Sequence, residues 1–183
     1  MTFQKVCVYA GSAPGASEAY AAATRELAAG IVARGAGVVY GGGSLGLMGV
    51  LADATLQAGG TVTGVIPRFL DDREVGHDGV TDLRVVETMH ERKMLMADLA
   101  DAFVVLPGGI GTLEEVVELL SWRRLDLHAK PVVFYNPDGF WQPLFDLFQH
   151  TVDAHLTPAE FMDAWTAVER IEDVIPTLLQ APA

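Results

Sequence analysis

Short unbroken apolar runs ending in glycine alternate along the chain with longer segments of helical period, the pattern of buried parallel strands joined by crossover helices. The first run, Lys5 to Tyr9, leads into the small-residue turn AGSAPG. Ser17 stands where a helix cap is expected, apolar positions recur to about Val32, and Gly35 and Gly37 mark the end. Gly37 to Tyr40 reads as the second strand and runs into GGGSLGLMG; a helix over 50–57 stops at Gly59 and Gly60, and TVTGVIP reads as the third strand. Residues 67–79 are polar and irregular and read as a mobile loop. DLRVVE gives a fourth strand, after which Thr88, Met89, His90 and Glu91 have the form of a capping box opening the helix MHERKMLMADLA. DAFVVLPGG is the fifth strand, and Thr112 is expected to open a helix through Arg124. KPVVFYN supplies a sixth strand, and the chain from Phe140 reads mostly as helices around Pro158 and Ile171, with a short strand at TAVE. The expected fold class is α/β, a doubly wound parallel sheet with helices on both faces in one domain over 1–183.

Composition narrows the partners. At about 150 residues per domain, a chain of 183 residues needs one core. Twelve basic against twenty-four acidic residues give a net charge of −12, and only Arg92-Lys93 and Arg123-Arg124 are adjacent cations. Neither nucleic acid nor an anionic membrane surface is an expected partner, because both require clustered Lys and Arg. The single cysteine, Cys7, has no intrachain partner, and the N-terminal apolar stretch is too short for a signal peptide. The expectation is a soluble, cytoplasmic protein. Five scattered histidines and one cysteine show no metal-ligand spacing, so neither a metal nor a cofactor is expected. Met89, Met94 and Met96, like Trp122 and Trp141, read as core.

In doubly wound sheets, ligands bind beyond the carboxyl ends of the strands where strand order reverses. The glycine loops at Gly11-Ser12, at 41–49 and at 108–111 all follow predicted strands, and each can open into a helix whose free amides favour anions. The second, with Gly42 and Gly43, matches the dinucleotide fingerprint GxGxxG, but the third strand ends in Val65-Ile66-Pro67 and lacks the acidic residue that would hold a ribose. The same stretch spells GxSxG around Ser44, the string of a serine-hydrolase elbow, with His128, His150 and His155 downstream; a tight glycine turn produces it equally well. No glycine is followed by Lys and then Ser or Thr, so a triphosphate P-loop is absent.

PGGIGTLEE, residues 107–115, is the most informative string. Gly108 and Gly109 permit close backbone approach and Thr112 is placed to cap a helix, forming a nest of amides for a phosphate monoester. Arg92 and Lys93 are the cations available to it. Glu115, three residues after Thr112, reads either as the second half of a capping box or as a carboxylate serving positive charge in a reacting sugar. The helix dipole would favour its ionised form. His90 reads as an acid, a ligand or a surface residue.

VYAGS, VYGGGSLGLMG, MHERKMLM and LPGGIGTLEE, in this order and spacing, resemble the Lonely Guy family of cytokinin-activating enzymes, long labelled lysine decarboxylases. The resemblance covers nearly the whole chain. It implies a Rossmann-like homodimer that hydrolyses the N-glycosidic bond of N6-substituted adenosine 5′-monophosphates, and of AMP, to free base and ribose 5-phosphate. It makes Arg92 and Glu115 the catalytic pair. Substrate contacts fall on Glu74, Lys93, Gly108, Gly109, Ile110, Gly111, Thr112, Leu113, Glu114 and Ser121, with Gly11, Ser12, Gly42 and Gly43 from the other loops. Ala10 departs from the cysteine many members carry there. The alternative is a non-catalytic nucleotide or molybdenum-cofactor carrier of the same fold. The decarboxylase label fails on lysines: pyridoxal phosphate needs a Schiff-base lysine, and of Lys5, Lys93 and Lys130 only Lys93 is near the expected pocket.

Overall fold

The computed structural model describes residues 3–74 and 76–181, the side chains of 72–74 excepted. Seven parallel strands, β1 (Lys5–Tyr9), β2 (Gly37–Tyr40), β3 (Val62–Pro67), β4 (Asp82–Val86), β5 (Ala102–Val105), β6 (Val132–Tyr135) and β7 (Thr166–Val168), lie in the order β4-β3-β2-β1-β5-β6-β7. The central strands are buried on both faces, which is why their sequences are apolar without alternation. In β1, Val6 and Val8 face a core closed by α1 (Glu18–Ala33), α2 (Gly46–Gln57) and α7 (Val174–Gln180). Cys7 and Tyr9 face the opposite core, closed by α4 (Met89–Leu99), α5 (Ile110–Arg124) and α6 (Gln142–Asp153). The chain leaves β1 to one side for β2 and returns on the other for β5. Loops after these two strands therefore diverge and leave a crevice at the switch point.

Local signals place most helix ends. The Ser17 hydroxyl accepts from the Ala19 N–H at 3.2 Å, and Thr88 and Glu91 form the reciprocal capping box that opens α4. Three expectations are corrected. Residues 67–79 are not wholly irregular, because Arg68–Glu74 forms a short helix, α3; seven residues lack a readable helical period and no Ser, Thr or Asn precedes them. The fifth helix begins at Ile110 with Gly109 as its cap and no side-chain capping bond, so Thr112 lies inside the first turn. Met96 is core, but Met94 is 41% exposed.

Backbone contacts lock the loops around the crevice. The Gly11 carbonyl accepts from the Leu47 and Met48 N–H groups at 3.0 and 3.3 Å, and the Gly11 N–H donates to the Pro107 carbonyl at 3.4 Å. Gly46 opens α2 with φ 61°, and a Cβ there would stand 2.3 Å from the Ser12 carbonyl carbon. Gly46→Ala combines a left-handed conformation with a backbone clash. It should lower unfolding free energy by about 2 kcal/mol or more, read as a lower urea midpoint at unchanged slope.

Candidate active site

Arg92 sits in the second turn of α4, where the capping box at Thr88 fixes the helix start and aims the side chain beneath the loops after β2 and β3. Its guanidinium is buried: Nε donates to the Val65 carbonyl at 3.2 Å and Nη2 to the Gly41 carbonyl at 3.1 Å. Nη2 also lies 3.4 Å from Glu115 Oε1 across the α4–α5 contact. Nη1 lies 3.9 Å from the weak acceptor Met89 Sδ. Gly41 makes this seat. A Cβ there would fall 2.0 Å from Arg92 Nη2, so any other residue would expel the guanidinium.

Glu115 is buried in the second turn of α5. Because the helix starts at Ile110, the Thr112–Glu115 spacing is not a capping box, and that reading falls away. The expected dipole effect is also weaker, since the macrodipole fades beyond the first turn. What holds the carboxylate's charge is Arg92, with a gross attraction of about 5 kcal/mol at an effective dielectric of about 20 that desolvation largely offsets. The charges beneath the sheet respond to the pair. Burial pushes the Cys7 thiol and the Tyr9 phenol well up, Glu115 adding to the shift and Arg92 opposing it.

The two helix N-termini beside the crevice differ. In α2 the Leu47 and Met48 amides are committed to the Gly11 carbonyl. In α5, among the described residues, the Ile110, Gly111 and Thr112 amides have no acceptor in the chain. Gly109 and Gly111 have open space where a Cβ would stand, whereas Gly108 is bare to admit the Thr112 side chain, 2.2 Å from where its Cβ would be. These amides, Gly11, Ser12, Met48, Arg92 and Glu115 line a cleft of about 240 Å³. Of three larger depressions, the two biggest, about 480 and 550 Å³, lie at the far end of α5 around Arg124 and Pro158. Neither adjoins a buried ion pair or the carboxyl ends of the central strands, so size does not select the site.

The structure gathers Gly11, Ser12, Gly109, Ile110, Gly111, Thr112, Arg92 and Glu115 into one cleft. Gly42 and Gly43 stand beside it and tie the β2–α2 loop to the segment after α3, through the Gly43–Gly76 bridge and a 3.1 Å bond from the His77 N–H to the Gly42 carbonyl. Leu113 packs on the core. Lys93 does not line the cleft; its ammonium is held by Glu114 and by Glu118 Oε2, the latter at 2.7 Å. Burial pulls the Lys93 pKa down, and the hydrogen bonds it donates to these carboxylates more than reverse it. Ser121 is exposed, about 16 Å along α5 from Ile110 at 1.5 Å per residue. Glu74 ends α3, and its side chain lies outside the described residues. Gly41 is the residue that sequence reasoning missed: it was legible only as one glycine of three. His128, a hydrolase candidate, has Nε2 3.0 Å from the Leu119 carbonyl on the opposite core from α2, and burial lowers its pKa. Among the described residues no group of three or more His, Cys, Asp or Glu could hold a metal, and no helix is long and apolar enough to cross a membrane.

A family model described as possible lysine decarboxylase matches residues 48–178. A probable cytokinin riboside 5′-monophosphate phosphoribohydrolase of Oryza sativa subsp. japonica is 46% identical over 181 residues, covering 95% of this chain and 80% of that protein. The cytokinin riboside 5′-monophosphate phosphoribohydrolase of Rhodococcoides fascians is 45% identical over 160 residues, 86% of this chain and 81% of its own length. Among solved structures, the molybdenum cofactor carrier protein of Chlamydomonas reinhardtii superposes with a TM-score of 0.71 over 97% of this chain and 96% of that one. Its 23% identity shows a common fold alone. Similarity of this extent makes the chain a member of the Lonely Guy family, the group its family model describes as possible lysine decarboxylases.

Proposed function

We infer that this chain is a hydrolase of N-glycosyl compounds, a phosphoribohydrolase that releases the free base and ribose 5-phosphate from N6-substituted adenosine 5′-monophosphates and from AMP. The observation that carries this is a buried carboxylate paired with a buried arginine one helical turn beyond uncommitted amides. The Ile110, Gly111 and Thr112 amides hold the 5′-phosphate, and Gly11 and Ser12 close the opposite wall. The ribose then lies over Glu115. As the bond from C1′ to the base nitrogen lengthens, its electron pair leaves with the base and the sugar gains oxocarbenium character, which a carboxylate stabilises. Water adds to C1′, its hydroxyl staying on the sugar and its proton going to the base; Glu115 orients it. Arg92 Nη1 bridges phosphate and ribose while Nε and Nη2 stay fixed on the backbone. Decarboxylation is disfavoured by Lys93, whose charged ammonium is clasped by two carboxylates and cannot serve as an amine nucleophile.

The chain acts in the cytoplasm as a homodimer on this reading. Met94 on α4 and Ile110 and Val117 on α5 are exposed apolar side chains, 41%, 82% and 44% exposed, the last two seven residues apart on one face of α5. A second copy packed antiparallel on α5 about a twofold near Val117 would bring its Ser121 toward the first copy's cleft. That supports the substrate contact the family resemblance implies for Ser121.

Incubation with AMP and with isopentenyl-AMP should yield free base, whereas binding without base would identify a carrier. Glu115→Gln should lower kcat by about a hundredfold or more with nucleotide binding retained; full activity would refute the role of Glu115. Gly41→Ala should cost activity about as much and also lower the urea midpoint, because the added methyl meets the buried guanidinium and the core sulfur of Met48. Val117→Glu should shift the light-scattering mass from dimer to monomer.

A further inference from the structure

Arg92 and Lys93 are consecutive on α4, so their side chains leave the helix about 100° apart. Arg92 turns under the loops of the sheet and Lys93 turns to α5. A buried ammonium needs partners, and Lys93 has two, Glu114 and Glu118, which stand four residues apart and so share one face of successive turns. Two neighbouring residues of α4 thus grip three of α5: Arg92 takes Glu115, and Lys93 takes the carboxylates on either side of it.

Nothing local does this for α5. Its cap is Gly109 without a side-chain bond, and Gly109 and Gly111 touch nothing where a Cβ would be. A turn of α5 about its axis would leave the amides at its end able to meet a phosphate, since they surround the axis, but would swing Glu115 away from C1′. We propose that Lys93 is a positioning residue rather than a phosphate contact: its clasp on Glu114 and Glu118 fixes the rotation of α5 on α4 and thereby keeps the Glu115 carboxylate aimed into the cleft. This rests on the catalytic reading of Glu115 given above.

Lys93→Met keeps most of the length of the side chain and removes its charge. With isopentenyl-AMP, kcat should fall by about tenfold to a hundredfold, the range expected for a reacting group displaced by about 1 Å, while the inhibition constant of ribose 5-phosphate stays within about twofold of wild type. Lys93→Arg should restore part of kcat. The double variant Glu114→Gln, Glu118→Gln, with Lys93 intact, should reproduce the loss, and it decides the question alone if Lys93→Met does not fold. An inhibition constant that rises in step with the loss of kcat would make Lys93 a phosphate contact and overturn the proposal; so would full kcat in the double variant. If the wild-type protein releases no base, the hydrolase reading fails separately. The clasp is then read from amide exchange over residues 110–118, which should quicken in Lys93→Met and would overturn the proposal if unchanged.

Discussion

A guanidinium buried at the switch point of the sheet organises this molecule. Arg92 is held by the carbonyls of Gly41, which opens the loop after β2, and of Val65, within β3, and it is paired with Glu115 on α5. A buried charge without such partners would destabilise the fold by several kcal/mol. The consequence is mutual: two strand ends and two helices must meet at fixed distances for the arginine to be tolerated, and once they do, the carboxylate opposite has a fixed place.

The sheet explains why the pair stands where a ligand can reach it. With β2 on one side of β1 and β5 on the other, the loops part and expose strand ends that are buried everywhere else. Gly11 bridges the gap, its carbonyl spanning to α2 and its N–H to Pro107. Preorganisation here comes from backbone groups, which have no rotamer freedom to lose, and electrostatic stabilisation is strongest where the donors need not reorganise.

The sequence shows the central strands plainly because burial on both faces leaves runs such as VCVY and FVV with no polar interruptions. It shows the start of α4 because Thr88 and Glu91 cap each other. It misplaces the start of α5 because Thr112 imitates a cap while its side chain is needed to fill the space over Gly108. Arg92 and Glu115 are legible as a pair through their motifs. Lys93 reads in sequence as a second cation for the phosphate, whereas the structure sets it against Glu114 and Glu118, because charge along a chain does not reveal which face of a helix a residue occupies once the helix is packed. The partners of Lys93 are set by how α4 meets α5, more than twenty positions apart, and no local pattern encodes that.

The same limit applies to the glycine loops, and charge resolves it. In a chain with a net charge of −12, a dianion is attracted only where oriented dipoles outweigh the surrounding carboxylates. The loop with the most glycines, 41–49, looks best suited in sequence, yet the amides at the start of α2 already face the Gly11 carbonyl. The two helix starts are therefore complementary. One consumes its positive end to join the strands, and the other, capped by a glycine that offers nothing to its amides, leaves that end uncommitted. The fold thus leaves the uncommitted amides at α5, close to the carboxylate that Arg92 holds.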